Sequence, residues 1–186
     1  GGVLNVSSGL NTTITSNGAF SMPSNFNVGG ALNITATGAV SNNGNISVAG
    51  ITNITSNTSD VNLLGTNNFT GAVNLKASTG NIVANTVGNT TYGSIASGGN
   101  VTLNSTGNIT LPNISLASGN LSLGLTAGSG NVAQTANTNL NISGTTTLAL
   151  GAGSAVLANS NNKLTGQLSV SSGNSVQVVN NQSLNL

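Results

Sequence analysis

Aliphatic residues fall at every second position in short bursts along this chain, and nowhere at helical spacing. Leu32-Asn33-Ile34-Thr35, Val101-Thr102-Leu103-Asn104, Leu121-Ser122-Leu123, Leu140-Asn141-Ile142 and Leu168-Ser169-Val170 show the pattern. Successive side chains of a strand point to opposite faces, so each burst predicts a short strand. One side carries Val, Ile or Leu and the other Asn, Ser or Thr. Between the bursts sit corners such as Thr37-Gly38, Asn43-Gly44, Thr79-Gly80-Asn81, Ser97-Gly98-Gly99-Asn100 and Thr106-Gly107-Asn108. Gly and Asn accept positive φ more readily than other residues, so these corners are expected to turn through left-handed backbone. Strands of about 4–6 residues recurring every 8–12 or so predict an all-β chain.

The punctuation is even enough to contain repeats. Gly98-Gly99-Asn100-Val101-Thr102-Leu103-Asn104-Ser105-Thr106-Gly107 matches Gly29-Gly30-Ala31-Leu32-Asn33-Ile34-Thr35-Ala36-Thr37-Gly38. A longer unit pairs Gly50-Ile51-Thr52-Asn53-Ile54-Thr55 with Gly144-Thr145-Thr146-Thr147-Leu148-Ala149, and Phe69 to Leu75 with Leu164 to Val170. Residues 50–75 therefore match 144–170, a repeat of about 95 residues that itself spans several turns of a finer period. Short strands, Gly-Asn corners and fine repeats predict one continuous parallel β-helix, a β-solenoid, over residues 1–186. It has about eight coils of roughly 20–25 residues and, at ~4.8 Å per coil, a length near ~40 Å. A β-sandwich would call for longer strands and more aromatics. An outer-membrane barrel would need strands of about 9–11 residues and aromatic girdles, which three Phe, one Tyr and no Trp do not supply.

Composition then removes whole classes of function. Asp60, Lys76 and Lys163 are the only charged residues of 186, and His, Cys, Arg and Glu are absent. General acid–base work, a carboxylate pair or a metal cage all need clustered titratable side chains, so the chain is expected to be no enzyme and to hold no metal or cofactor. With no basic patch, nucleic acid is excluded as a partner. Stacked, near-identical coils would place like charges directly opposite one another, which accounts for a neutral polar coat. The absence of Cys excludes a disulfide framework and is compatible with export. The opening Gly1-Gly2-Val3-Leu4, with no Met and no leader, reads as the interior of a longer chain. The apolar stretch Leu148 to Ala158 is too short to span a bilayer as a helix.

Asn67-Asn68-Phe69-Thr70-Gly71-Ala72-Val73, following Asp60-Val61-Asn62-Leu63, resembles the repeats of very large bacterial filamentous-haemagglutinin-like proteins. The pair beginning at Gly50 and Gly144 resembles the strand that precedes this run in the same family. The resemblance implies a right-handed parallel β-helix shaft, exported by two-partner secretion or held as a surface fibre, that serves adhesion, aggregation or biofilm. It implies no catalytic residues. The amino-terminal secretion domain of that family is not recognisable here.

Remaining motifs have plain explanations beside their functional ones. Many Asn begin Asn-x-Ser/Thr, and Asn33, Asn53, Asn100, Asn108 and Asn141 stand as candidate glycosylation sites. A strand alternating inward aliphatics with outward Asn and Thr also writes this tripeptide automatically. Thr rows such as Thr12-Thr13-Ile14-Thr15 suggest an ice-binding array, but they are mixed with Asn and Ser, and ordinary β-propensity accounts for them. The Gly-rich piece from Gly124 to Gly130 is followed by no Lys-Ser/Thr, so it is not a phosphate loop.

The expectation is a non-enzymatic, extracellular shaft of a bacterial surface adhesin or fibre. Its partners are neighbouring coils or identical subunits, together with glycans or proteins of host or neighbouring cells. A self-assembling extracellular filament subunit is the alternative.

Overall fold

The computed structural model describes residues 7–186, and the chain winds through them as a β-solenoid of about eight turns whose strands pair in parallel. The opening Gly1-Gly2-Val3-Leu4 lies outside the described residues. Each turn visits three faces. Phe20–Met22 lies on the first, Phe26–Val28 on the second and Leu32–Ala36 on the third. Val40–Asn42, Ile46–Val48 and Thr52–Ser56 stack above them in that order. Val61–Phe69 then bends across the first two faces, and Val73–Ala77 closes the turn on the third.

Above this level the pattern changes. Ile82–Thr86 occupies the first face, and Thr90–Ser97 bends around the second and third. Val101–Ser105, Ile109–Leu111 and Ile114–Leu116 make the next turn, followed by Leu121–Leu125, Asn131–Gln134 and Leu140–Ile142. Thr146–Ala149, Ser154–Leu157 and Lys163–Leu164 come next, then Leu168–Ser172 and Ser175–Val178.

The alternation seen in the sequence becomes burial. In Leu32–Ala36 and Val101–Ser105 every second side chain points inward and is buried. Stacking places like residues in columns. Ile14, Ile34, Ile54, Leu75 and Ile95 line up along the third face, and Val40, Val61, Ile82, Val101 and Leu121 along the first. These columns join into one continuous apolar core. Burying each such side chain contributes about 1.5–3 kcal/mol, which substitutes for the aromatic mass the chain lacks.

The corners correct one expectation. Positive φ occurs at Gly88, Gly128, Gly151, Asn25 and Asn137 among the described residues, so most corner glycines do not use left-handed backbone. They are glycines because coils approach closely. A Cβ on Gly119 would meet the Gly99 carbonyl oxygen, one on Gly144 the Gly119 carbonyl, and one on Gly166 the Gly144 carbonyl. A second column runs Gly88, Gly107, Gly130, Gly153 by the same rule.

The long strand changes face half-way up. Through the lower half the five-residue strands, Thr12–Ser16, Leu32–Ala36, Thr52–Ser56 and Val73–Ala77, lie on the third face. From Ile82–Thr86 upward they lie on the first, in Val101–Ser105 and Leu121–Leu125. The sequence repeat follows the long strand, not the face. The matching stretches at Leu32 and Val101 therefore sit on different faces, as do those at Thr52 and Thr146.

Candidate functional surface: ladders of amides

The outward side of this fold is a set of hydrogen-bonded columns. Along the third face Asn53 Nδ2 donates to Asn33 Oδ1 at 2.7 Å and Asn74 Nδ2 to Asn53 Oδ1 at 2.7 Å. Ser94 Oγ then donates to Asn74 Oδ1 at 3.1 Å. On the first face Asn104 Nδ2 donates to Asn85 Oδ1 at 3.0 Å.

Two more columns run up the corners, one residue after each stacked glycine. Asp60 Oδ1 accepts the Asn81 N–H at 2.7 Å, Asn81 Oδ1 that of Asn100 at 2.8 Å, Asn100 Oδ1 that of Asn120 at 2.8 Å, and Asn120 Oδ1 that of Thr145 at 2.8 Å. Asn89, Asn108 and Asn131 repeat this upward, accepting from Asn108, Asn131 and Ser154 at 3.0, 2.8 and 3.2 Å. This is the physical content of the Gly-Asn dipeptide: Gly lets the coils close up, and Asn supplies the acceptor that a bent corner cannot take from the ladder.

Other amides are turned inward. Asn67, fully buried, donates through Nδ2 to the carbonyls of Leu63 at 3.2 Å, Gly65 at 3.0 Å and Asn85 at 2.8 Å, and its Oδ1 accepts from Asn42 Nδ2 at 2.7 Å. Asn162 and Gln134 form a reciprocal amide pair, each Nδ2 or Nε2 to the other's carbonyl oxygen at 2.8 Å. Asn162 also accepts the Leu140 N–H at 2.9 Å. Sequence reasoning missed these residues. Their one signal is a polar residue at an inward position of the alternation, as at Asn42 in Val40–Asn42.

The candidate glycosylation residues are distributed over these ladders. Asn33 and Asn53 belong to the third-face column, half-buried, and Asn53 Nδ2 is committed to Asn33. Asn100 and Asn108 are exposed corner acceptors. Asn141 is exposed, with Nδ2 reaching Ser115 Oγ at 3.5 Å. No two of them converge on a cleft. Of the Thr rows, the third-face register aligns Thr15, Thr35 and Thr55 before giving way to Lys76 and Ala96, so the regular array ends there.

Among the described residues no group of His, Cys, Asp or Glu is placed to hold a metal ion, and no helix is long and apolar enough to cross a membrane. Lys76 and Lys163 are exposed. Asp60 spends its Oδ1 on the corner ladder. Tyr92 is buried in the core, and burial pushes its phenol pKa far up, against a smaller lowering by the Thr86 hydroxyl. The Thr86 hydroxyl is nevertheless committed elsewhere. It donates to the Asn104 carbonyl at 3.1 Å and accepts from Thr90 at 2.8 Å, and the buried Tyr92 O–H has no hydrogen-bond partner.

The unfolded chain gives up the phenol proton above about pH 10 and the folded chain does not, so this group's contribution is intact below pH 10 and is lost as pH rises above it. Urea titrations at rising pH should show stability falling above about pH 10 in the wild type. Tyr92→Phe should remove that fall and, by deleting an unpartnered hydroxyl, match or exceed wild-type stability at neutral pH.

Comparison with known families places the chain. Residues 9–76 and again 98–171 match the model of the DUF5649 family, described as repeats of unknown function. The chain belongs to this family. No curated protein and no solved structure matches it. The two DUF5649 stretches begin at glycines that each precede a long strand, Thr12–Ser16 for the first and Val101–Ser105 for the second. The family repeat thus keeps its phase with the long strand and the corner ladder, while the faces rotate beneath it.

Proposed function

We propose that this chain is a non-enzymatic structural shaft in a bacterial extracellular adhesin or surface fibre. The observation that carries the reading is the coat. Columns of Asn, Ser and Thr cover a stacked aliphatic core, with almost nothing on the surface to titrate or to screen. A rod of this kind keeps its form over wide ranges of pH and salt, because its stability rests on burial and on neutral hydrogen bonds. Repetition supports the same reading, since each added DUF5649 stretch lengthens the rod without new chemistry. Multivalent contact through the amide and hydroxyl columns, with glycans or proteins on other cells, would add to its reach.

The test uses the native protein in the bacterium that makes it. Antibody against this chain should label intact cells, and excising residues 98–171 should reduce cell–cell aggregation. Inserting a second copy of residues 9–76 in their place should restore it, because a shaft needs length and not a particular surface. Labelling seen solely after permeabilisation, or aggregation indifferent to the excision, would contradict the proposal.

A further inference from the structure

Between the two DUF5649 stretches lie residues 77–97, and the ladders are broken at the same place. Elsewhere one long strand is followed by two short strands, or by one bent strand such as Val61–Phe69, before the next long strand. Here Val73–Ala77 is followed at once by Ile82–Thr86, one long strand on the third face and the next on the first. The consequence is a coil that matches neither neighbour.

On the third face Thr90–Ser97 pairs downward with Val73–Ala77 but shares no ladder with Ile114–Leu116, which begins a separate three-stranded sheet. On the second face Thr90 and Thr91 pair upward with Ile109 and Thr110, yet nothing below pairs with them. Phe69 pairs downward with Val48 alone. Thr90–Ser97 thus splits its pairing, Thr90 and Thr91 upward and Tyr92 to Ser97 downward, whereas Ile82–Thr86 pairs in both directions along its length, reaching Asn67 of the second face below through Thr86.

The surface is cleft at the same level. An open groove of about 370 Å³ lies beside Leu64, Asn85 and Val87, and another of about 360 Å³ beside Gly93, Ile95 and Pro112. Thr86, Thr90 and Ser105 bring three buried hydroxyls to this level, where Thr52, Ser56 and Thr146 are the inward hydroxyls of other coils. The Tyr92 hydroxyl is buried there without a partner.

We propose that residues 77–97 form a joint between two solenoid blocks that unfold independently, and that the rod opens at this joint first. In a solenoid each coil is coupled only to its neighbours, so cooperativity passes from block to block through the interface between adjacent coils. Where the third face carries no ladder to the coil above and open grooves flank the level, that coupling falls, and local opening is expected there before it occurs within a block. The family boundary and the ladder break select the same residues. The inference does not depend on the shaft reading.

Pulsed hydrogen–deuterium exchange of the whole chain in a urea series, read by mass spectrometry, tests it. Peptides covering 87–97 should lose protection at the lowest urea. Ile34→Ala should then lower the midpoint of peptides within 20–76 and leave those within 101–170 unmoved, and Leu123→Ala should do the reverse. If Ile34→Ala abolishes the lower block altogether, continued protection of 101–170 is the same result. A shift shared equally by both blocks in either variant overturns the proposal, as does first opening inside a block.

Discussion

Asn67→Ala should be among the most destabilising single changes available in this chain, by about 3 kcal/mol or more, because it strands several buried polar groups at once. The carbonyls of Leu63, Gly65 and Asn85 lose the Asn67 amide, and Asn42 Nδ2 keeps only its bond to the Gly44 carbonyl. A buried donor or acceptor left without a partner costs about 1–3 kcal/mol, whereas a well-made neutral bond contributes only about 1. Urea denaturation of Asn67→Ala, Asn42→Ala and the double variant would expose the coupling. The double variant should lose clearly less than the sum of the singles, since the two amides share one hydrogen bond. A cost near zero for Asn67→Ala would mean that water reaches this corner.

The second large effect belongs to the glycine columns. Gly119→Ala puts a methyl against the Gly99 carbonyl, where the obstacle is backbone held by the ladder and not a side chain that can swing away. Overpacking of this kind costs about 1–3 kcal/mol, and the upper end is expected, because the adjacent Asn120 N–H is tied to Asn100 Oδ1 in the same corner. Gly18→Ala is the matched control. No atom lies within 4 Å of its Cβ position and its φ is not left-handed, so the change should be neutral or stabilising by about 0.5 kcal/mol. Equal effects at the two positions, read as urea midpoints, would remove close coil approach as the reason for glycine.

Much of this fold is written locally. Ile34 and Leu103 each sit between outward polar residues, so their direction and the strands around them follow from alternation alone, as does the coil length from the recurrence of Gly-Asn corners. The change of face at Ile82 is not written locally. The stretch from Gly80 to Thr86 looks like any other long strand with its corner, and what differs is that Val73–Ala77 immediately precedes it on another face. Only the three-dimensional count of segments per turn reveals that.

The inward amides were hidden for a related reason. Asn42 and Asn67 read as interruptions of an apolar pattern, and their purpose becomes visible when the bend in Val61–Phe69 turns three carbonyls toward one side chain. The corner asparagines were legible as turn residues but not as acceptors, since the bond each one makes reaches a residue about twenty positions away in the next coil.

Because the chain has no Cys, nitroxide labels can be placed cleanly at Thr35→Cys and Thr55→Cys, outward positions in register on neighbouring coils. Parallel stacking brings these positions to about 5 Å, so the doubly labelled protein should give an exchange-collapsed electron paramagnetic resonance spectrum. A spectrum equal to the sum of the two singly labelled proteins would mean that these strands do not stack in register, and the solenoid account would fall with it.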